Sequence, residues 1–361
     1  MGRFLYPVDT DQFQEIREQG RVYVDKTDMV FDLVSRYKYV FLSRPRRFGK
    51  SLLCNTFKAY FQGLKIMDME RDWKTYPVLH FIMSGLKNCT IPEARSALEL
   101  YISDYERIYG RNMAEETPGK RFRGLIHRAY EKTGEKVVVI LDEYDAAIMR
   151  LMYEDEELEQ MRTMLREFYQ VLKDEGAYLR FVFITGVTKF SQLSIFSDLN
   201  NLNQISMIDD YSGICGITQE ELDTTLRPCV EDYAEGLGIT TSEAYALLKK
   251  NYDGYHFSPH GKDVYAPFSL LRALDNKSTG YYWFESGTMT ALIEHLRHYP
   301  EYNALEYDGV TVSENEFNIA CEKAETPMPL LYQSGYLTID EYDPLLKSYV
   351  LHFPNLEVRE G

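Results

Sequence analysis

Residues 39–56 read "YVFLSRPRRFGKSLLCNT": five mostly apolar residues, a short loop, then Lys50-Ser51 opening a helical pattern. No other stretch restricts the fold as much, because a buried strand feeding a tight loop and a helix belongs to a sheet covered by helices. Such a loop aims backbone N–H groups and a helix N-terminus at one point, where a phosphate is held. In the pattern G-x-x-x-x-G-K-[ST], Lys50 reaches the β- and γ-phosphates of a nucleotide and Ser51 ligates Mg2+. Arg44 stands where the first glycine is usual. Pro45 can set the turn by locking φ, and Gly49, where the main chain comes closest to phosphate, is retained. The stretch Arg44, Pro45, Arg46, Arg47, Phe48, Gly49, Lys50, Ser51 and Leu52 is the expected nucleotide-binding loop, with one of Arg46 and Arg47 facing phosphate.

A second element, "VVVILDEYD", carries a strand buried on both faces that delivers Asp142 and Glu143 to its carboxyl end. Ligands bind at that edge in open α/β sheets. Asp142 is expected to hold the Mg2+ shell and Glu143 to orient and deprotonate the attacking water. Strands are predicted at 39–43, 78–83, 137–141, 180–185 and 204–208. An intervening strand and an acid directly after the metal aspartate favour the ATPase branch of P-loop proteins, with sheet order 5-1-4-3-2. Thr185, or in second place Thr188, then lies between the phosphate and carboxylate groups as a polar sensor.

The rest of the chain agrees with a globular α/β protein. It has 361 residues, 45% hydrophobic and 27% charged, enough for more than one core. No run approaches about eighteen apolar residues, and the N-terminus lacks secretory-signal features, so a cytoplasmic location without membrane contact is expected. Five scattered cysteines argue against a disulfide framework or a zinc cluster. Forty Lys and Arg against 56 Asp and Glu give a net charge of −16, which repels polyanions. Neither His256 nor the pair His295 and His298 has the neighbours of a metal centre, and "AEETPGKRFRG" reads as a short basic surface turn. Helix 156–173 shows an apolar stripe at three- and four-residue spacing. After residue 215 helices dominate, one opened by a Thr218/Glu221 capping box. The runs "GYLTIDEY" and "KSYVLHF" flank "DPLLK" as a hairpin. The expected organisation is a P-loop domain (1–215), a helical subdomain (216–285) and a winged-helix-like module (286–361).

"FQEIREQGRVYVDKTDMV", "FLSRPRRFGKSLL", "VILDEYDAAI", "ITGVTKFS", "YDGYHFS" and "YWFESGT" together resemble bacterial AAA-ATPase-like proteins, which often carry a C-terminal PD-(D/E)xK nuclease-like domain. The resemblance spans nearly all of the chain and implies that Arg44 is the family's own variant. The loop is also similar to that of archaeal-type ATPases with a C-terminal winged helix. By resemblance, Tyr23 in "YVDKT" lies near the adenine. Ile82 and Met289 depart from the family pattern, which has an acid and commonly a proline there. The 361 residues are expected to hold no nuclease-like domain, and no cleavage of nucleic acid by them is expected. The implied activity is Mg2+-dependent hydrolysis of ATP coupled to domain rearrangement. The alternatives are a nucleotide switch with negligible turnover that acts on a protein partner, and a nucleic-acid-dependent ATPase using a patch of Lys323, Lys347 and Arg359.

Overall fold

The computed structural model describes residues 4–59, 74–149, 151–189, 201–285, 292–293, 295–321 and 324–361. In chain order come α1 (Phe13–Glu18), α2 (Thr27–Arg36), β1 (Tyr39–Ser43), α3 (Lys50–Thr56), β2 (Val78–Ile82), α4 (Ile91–Tyr109), α5 (Pro118–Thr133), β3 (Val137–Asp142), α6 (Ala146–Met149), α7 (Asp155–Asp174), β4 (Leu179–Gly186) and β5 (Asn203–Gln204). The strands form one parallel sheet, β2-β3-β4-β1-β5, which is the expected order read from the opposite edge. The fifth strand is shorter than expected, two residues instead of the predicted 204–208.

Alternation along the strands assigns the two faces. Phe57, just after α3, rests on Phe181 and Phe183 of β4, with ring centroids 5.4 and 4.8 Å away. Phe81 of β2 points the other way, to Phe122 of α5 at 5.1 Å and Phe168 of α7 at 5.4 Å. The sheet is thus covered on both sides, and its central strands β1 and β3 are buried throughout. That explains why their sequences are apolar without alternation.

The stretch expected as a basic surface turn is instead the start of α5. Thr117 caps it by accepting from the Lys120 N–H, and Pro118 occupies the first turn. Arg121 is buried there, donating to both Glu106 oxygens at 3.0 and 2.7 Å and to Ser103 Oγ at 2.7 Å. The sequence signal was the Thr-Pro pair, a helix start that charge content had hidden.

A second apolar cluster is built from β6 (Ile217–Thr218), α8 (Gln219–Asp223), α9 (Arg227–Leu237), α10 (Thr241–Tyr252), β7 (Val264–Tyr265) and α11 (Pro267–Asn276). The Thr218/Glu221 capping box is present. Beyond it, β9 (Thr338–Asp343) and β10 (Ser348–His352) make the expected antiparallel hairpin, and β8 (Val310–Ser313) pairs with the other edge of β10. The core of this C-terminal part is continuous with that of the parallel sheet: Phe317, Leu331, Tyr332 and Leu351 share one cluster with Phe41 and Ile140. All five cysteines are free, four of them buried. Among the described residues no helix is long and apolar enough to cross a membrane. Met289 and Lys323 lie outside the described residues.

Candidate nucleotide site

The loop 44–49 leaves β1 at the carboxyl edge of the sheet. Arg47 and Gly49 both take positive φ, 61° and 82°; glycine adopts this without strain, whereas in arginine the Cβ makes it costly. Gly49 then serves as N-cap of α3, so the helix opens at Lys50-Ser51 with its free N–H groups toward the loop. Lys50 is 5% exposed, and its Nζ donates to the carbonyls of Arg44 and Pro45, both at 2.9 Å. The lysine therefore ties the two ends of its own loop together.

The three arginines of the loop separate. Arg44 is turned into the protein, 2% exposed, donating to the carbonyls of Ser43 (3.0 Å), Ser206 (2.8 Å) and Tyr211 (3.3 Å), with its guanidinium 4.2 Å from the centre of the Phe257 ring. Burial pulls its pKa down to about 10. Its side chain does a structural job and is not offered to a ligand, contrary to its expected place among the binding residues. Arg47 lies over Phe268 of α11 at 3.8 Å, a cation–π contact that holds its guanidinium against that helix. The Arg46 charge reaches Glu143 and opposes the rise of its pKa, after burial and Lys50. Phe48 is fully buried, edge-on to Tyr255 (4.8 Å), Phe257 (5.3 Å) and Trp283 (6.0 Å). Pro45 packs where a Cβ on Gly335 would meet its Cγ at 2.8 Å, and Gly335 itself sits at φ +87°.

The carboxylates come from the end of β3. Asp142 is 1% exposed and accepts from the Thr185 hydroxyl at 2.6 Å. β4 lies between β1 and β3, with Leu42 opposite Thr185 and Leu141 opposite Ile184, so Thr185 does stand between the loop and the carboxylates. Thr188 is placed differently: with the Val187 and Thr188 N–H groups, its hydroxyl is bound to Asp145, at 2.9, 2.7 and 2.9 Å. Glu143 takes φ 54°, uncommon for a residue with a Cβ. Burial raises its pKa, opposed by the nearby Lys50 and reinforced by Asp142. Asp145, buried and also raised by burial, was missed by sequence reasoning. Its signal was a third acid at the end of "LDEYD", but its partners lie in another strand's loop.

Beside Gly49 lies a cleft lined by Tyr23, Phe48, Leu52, Thr56, Ile214, Ile217 and Leu271. Tyr23 is held edge-on to Phe13 at 5.3 Å, and burial pushes its phenol up to about 12. Lys26, three residues on, pairs with Glu221 of α8 at 2.6 Å. One apolar cleft, one loop and two carboxylates thus share an edge of the sheet, an arrangement suited to a flat ring system joined to a charged tail.

A family model described as "Predicted AAA-ATPase" matches residues 7–196 of this chain. A protein of Azotobacter chroococcum mcd 1, described as "Uncharacterized protein in vnfD 5'region", is 35% identical over 374 residues, covering 99% of this chain and 69% of that protein.

Proposed function

The chain belongs to the predicted AAA-ATPase family, and from that premise we propose that it binds ATP at the loop 44–52 and hydrolyses it with Mg2+. The observation that carries the reading is the joint presence of the Lys50 loop and the Asp142–Glu143 pair at one edge of the parallel sheet, with Thr185 between them. In this reading the N–H groups of the loop, the start of α3 and Lys50 bind the phosphates, and the cleft beside Tyr23 takes the adenine. Ser51 and Asp142 offer hard oxygen donors that suit Mg2+. When bound, that ion neutralises charge on the transferred phosphoryl group. Glu143 accepts a proton from the attacking water, and Thr185 positions Asp142 rather than touching phosphate. The raised pKa of Glu143 makes it a stronger base than a free glutamate.

Coupling to domain rearrangement follows from what the loop touches. Phe48, Pro45 and Arg47 contact Trp283, Gly335 and Phe268, residues of the proposed helical subdomain (216–285) and winged-helix-like module (286–361). A nucleotide that shifts the loop therefore acts on both. Protein partners, or a nuclease-like domain in longer family members, are candidates to receive that change.

Calorimetric titration with a non-hydrolysable ATP analogue and Mg2+ tests the binding half. Wild type is expected to saturate and Lys50→Ala to show no binding. Glu143→Gln should bind like wild type and release phosphate at least about a hundredfold more slowly. Equal turnover in Glu143→Gln rejects the base assignment. Binding without turnover in wild type converts the reading to a nucleotide switch.

A further inference from the structure

On the α3 face of the sheet, next to Asp142, three side chains of different chemistry converge. The Cys54 Sγ, a ring nitrogen of His80 and a carboxylate oxygen of Asp142 all lie within 4.8 Å of one another. Cys54 sits one turn into α3, and His80 alternates with Phe81, so it faces α3 while Phe81 faces α5 and α7. His80 is directly opposite Ile140, and Ile82 opposite Asp142, which puts His80 and Asp142 on the same face of adjacent strands.

The relative exposures are 0% for Cys54, 7% for His80 and 1% for Asp142. Both ring nitrogens of His80 are buried, and among the described residues neither has a hydrogen-bond partner. An imidazole buried in this way gives up its hydrogen bonds to water and gains none in return. An orphaned imidazole aimed at a thiol and a carboxylate is the arrangement of a ligand set. Thiol sulfur, imidazole nitrogen and carboxylate oxygen together suit a borderline divalent ion of the zinc type; Mg2+ takes oxygen alone.

We propose that Cys54, His80 and Asp142 form a three-ligand site for a zinc-like divalent cation, with a fourth position left to water. On binding, the Cys54 thiol gives its proton to solvent, and thiolate plus carboxylate balance the ion's two charges. Burial holds Cys54 as the thiol before the metal arrives, opposed by the charges of Lys50 and Lys58, and Lys58, which also acts on His80, opposes the cation afterwards, which tunes affinity downward. A consequence resting on the ATPase reading is competition for Asp142: with one oxygen bound by the Thr185 hydroxyl, it has one oxygen left to give either to this ion or to the Mg2+ shell. Zinc at the site then switches hydrolysis off.

The direct test is titration of the metal-free full chain with Co2+ in the absence of nucleotide. One equivalent should bind and give a thiolate-to-cobalt charge-transfer band. Cys54→Ser should remove the band, and His80→Asn should weaken cobalt binding at least about tenfold. Cys229→Ser should leave both unchanged. Because cobalt is titrated without nucleotide and is read at the Cys54 thiolate, the cobalt site stands or falls independently of the nucleotide reading. No thiolate band in wild type, or an undiminished band in Cys54→Ser, overturns the site; should Cys54→Ser fail to fold by circular dichroism, cobalt affinity in His80→Asn decides. Zinc should also slow ATP hydrolysis by wild type, reversibly on chelation, and leave His80→Asn unaffected. Equal zinc inhibition of both proteins overturns the shared-carboxylate consequence.

Discussion

The Thr185 hydroxyl, 2.6 Å from one Asp142 oxygen, commits that oxygen to the protein and so orients the other. Thr185→Val keeps the shape and leaves a buried carboxylate oxygen without its donor. Phosphate release should fall at least about tenfold, with binding of metal-free nucleotide unchanged; steady-state assays and calorimetry separate the two. Glu143 belongs to the same scale. Its pKa is raised above the ordinary 4.5 mainly by burial, and a base works only when ionised. Turnover should therefore fall with acid along a limb lying above pH 4.5, and a limb at or below that value rejects the role. Lys50, Ser51, Asp142 and Glu143 were legible because their pattern is local: each pair is adjacent and follows an apolar strand. Asp145 and the split among the three arginines were not, since their partners are main-chain groups and rings far along the chain.

For the loop as an element, Arg44 replaces glycine for a physical reason. A glycine there would leave the space between β1, the 206–211 segment and Phe257 without the guanidinium that satisfies three carbonyls. Arg44→Gly, although it restores the usual pattern, should destabilise the protein by on the order of 2–4 kcal/mol. Thermal unfolding would show it as a lowered midpoint, and an unchanged midpoint would mean that the contacts carry no net energy. The same logic makes Phe48 an anchor: its three edge-on aromatic neighbours hold the loop against residues 255–283. The elements themselves were readable from apolar runs and turn residues. The short strands β6, β7 and β8 and the length of β5 were not readable, nor was the start of α5, because its charges suggested a surface turn while Arg121 was needed inside to meet Glu106.

Across the whole molecule, the C-terminal residues close back on the aromatic cluster around the loop. Glu357 is 1% exposed and accepts from the Trp283 N–H at 2.9 Å, and burial pushes its pKa from 4.5 to about 7. A carboxyl raised in this way binds its proton more tightly folded than unfolded. The stability it confers is full below pH 4.5 and is lost as pH rises through about 7. Glutamine keeps the acceptor and cannot ionise. Glu357→Gln should melt with wild type at about pH 4 and a few degrees above it at about pH 8; identical melting at both values rejects the linkage.

What the sequence determined by itself is the five strands of the parallel sheet, with β1 before the Lys50 loop and β3 before the Asp142–Glu143 pair, the C-terminal hairpin, and the helical character of the middle of the chain. These follow from hydrophobic period and from residue types adjacent in the chain, which act over one strand or one turn. The tertiary structure decided the inward turn of Arg44, the meeting of Cys54 with His80 and the merging of the C-terminal core with the sheet. Each depends on which faces of separate elements pack together, and packing is settled by shape and burial among residues with no fixed spacing in the chain.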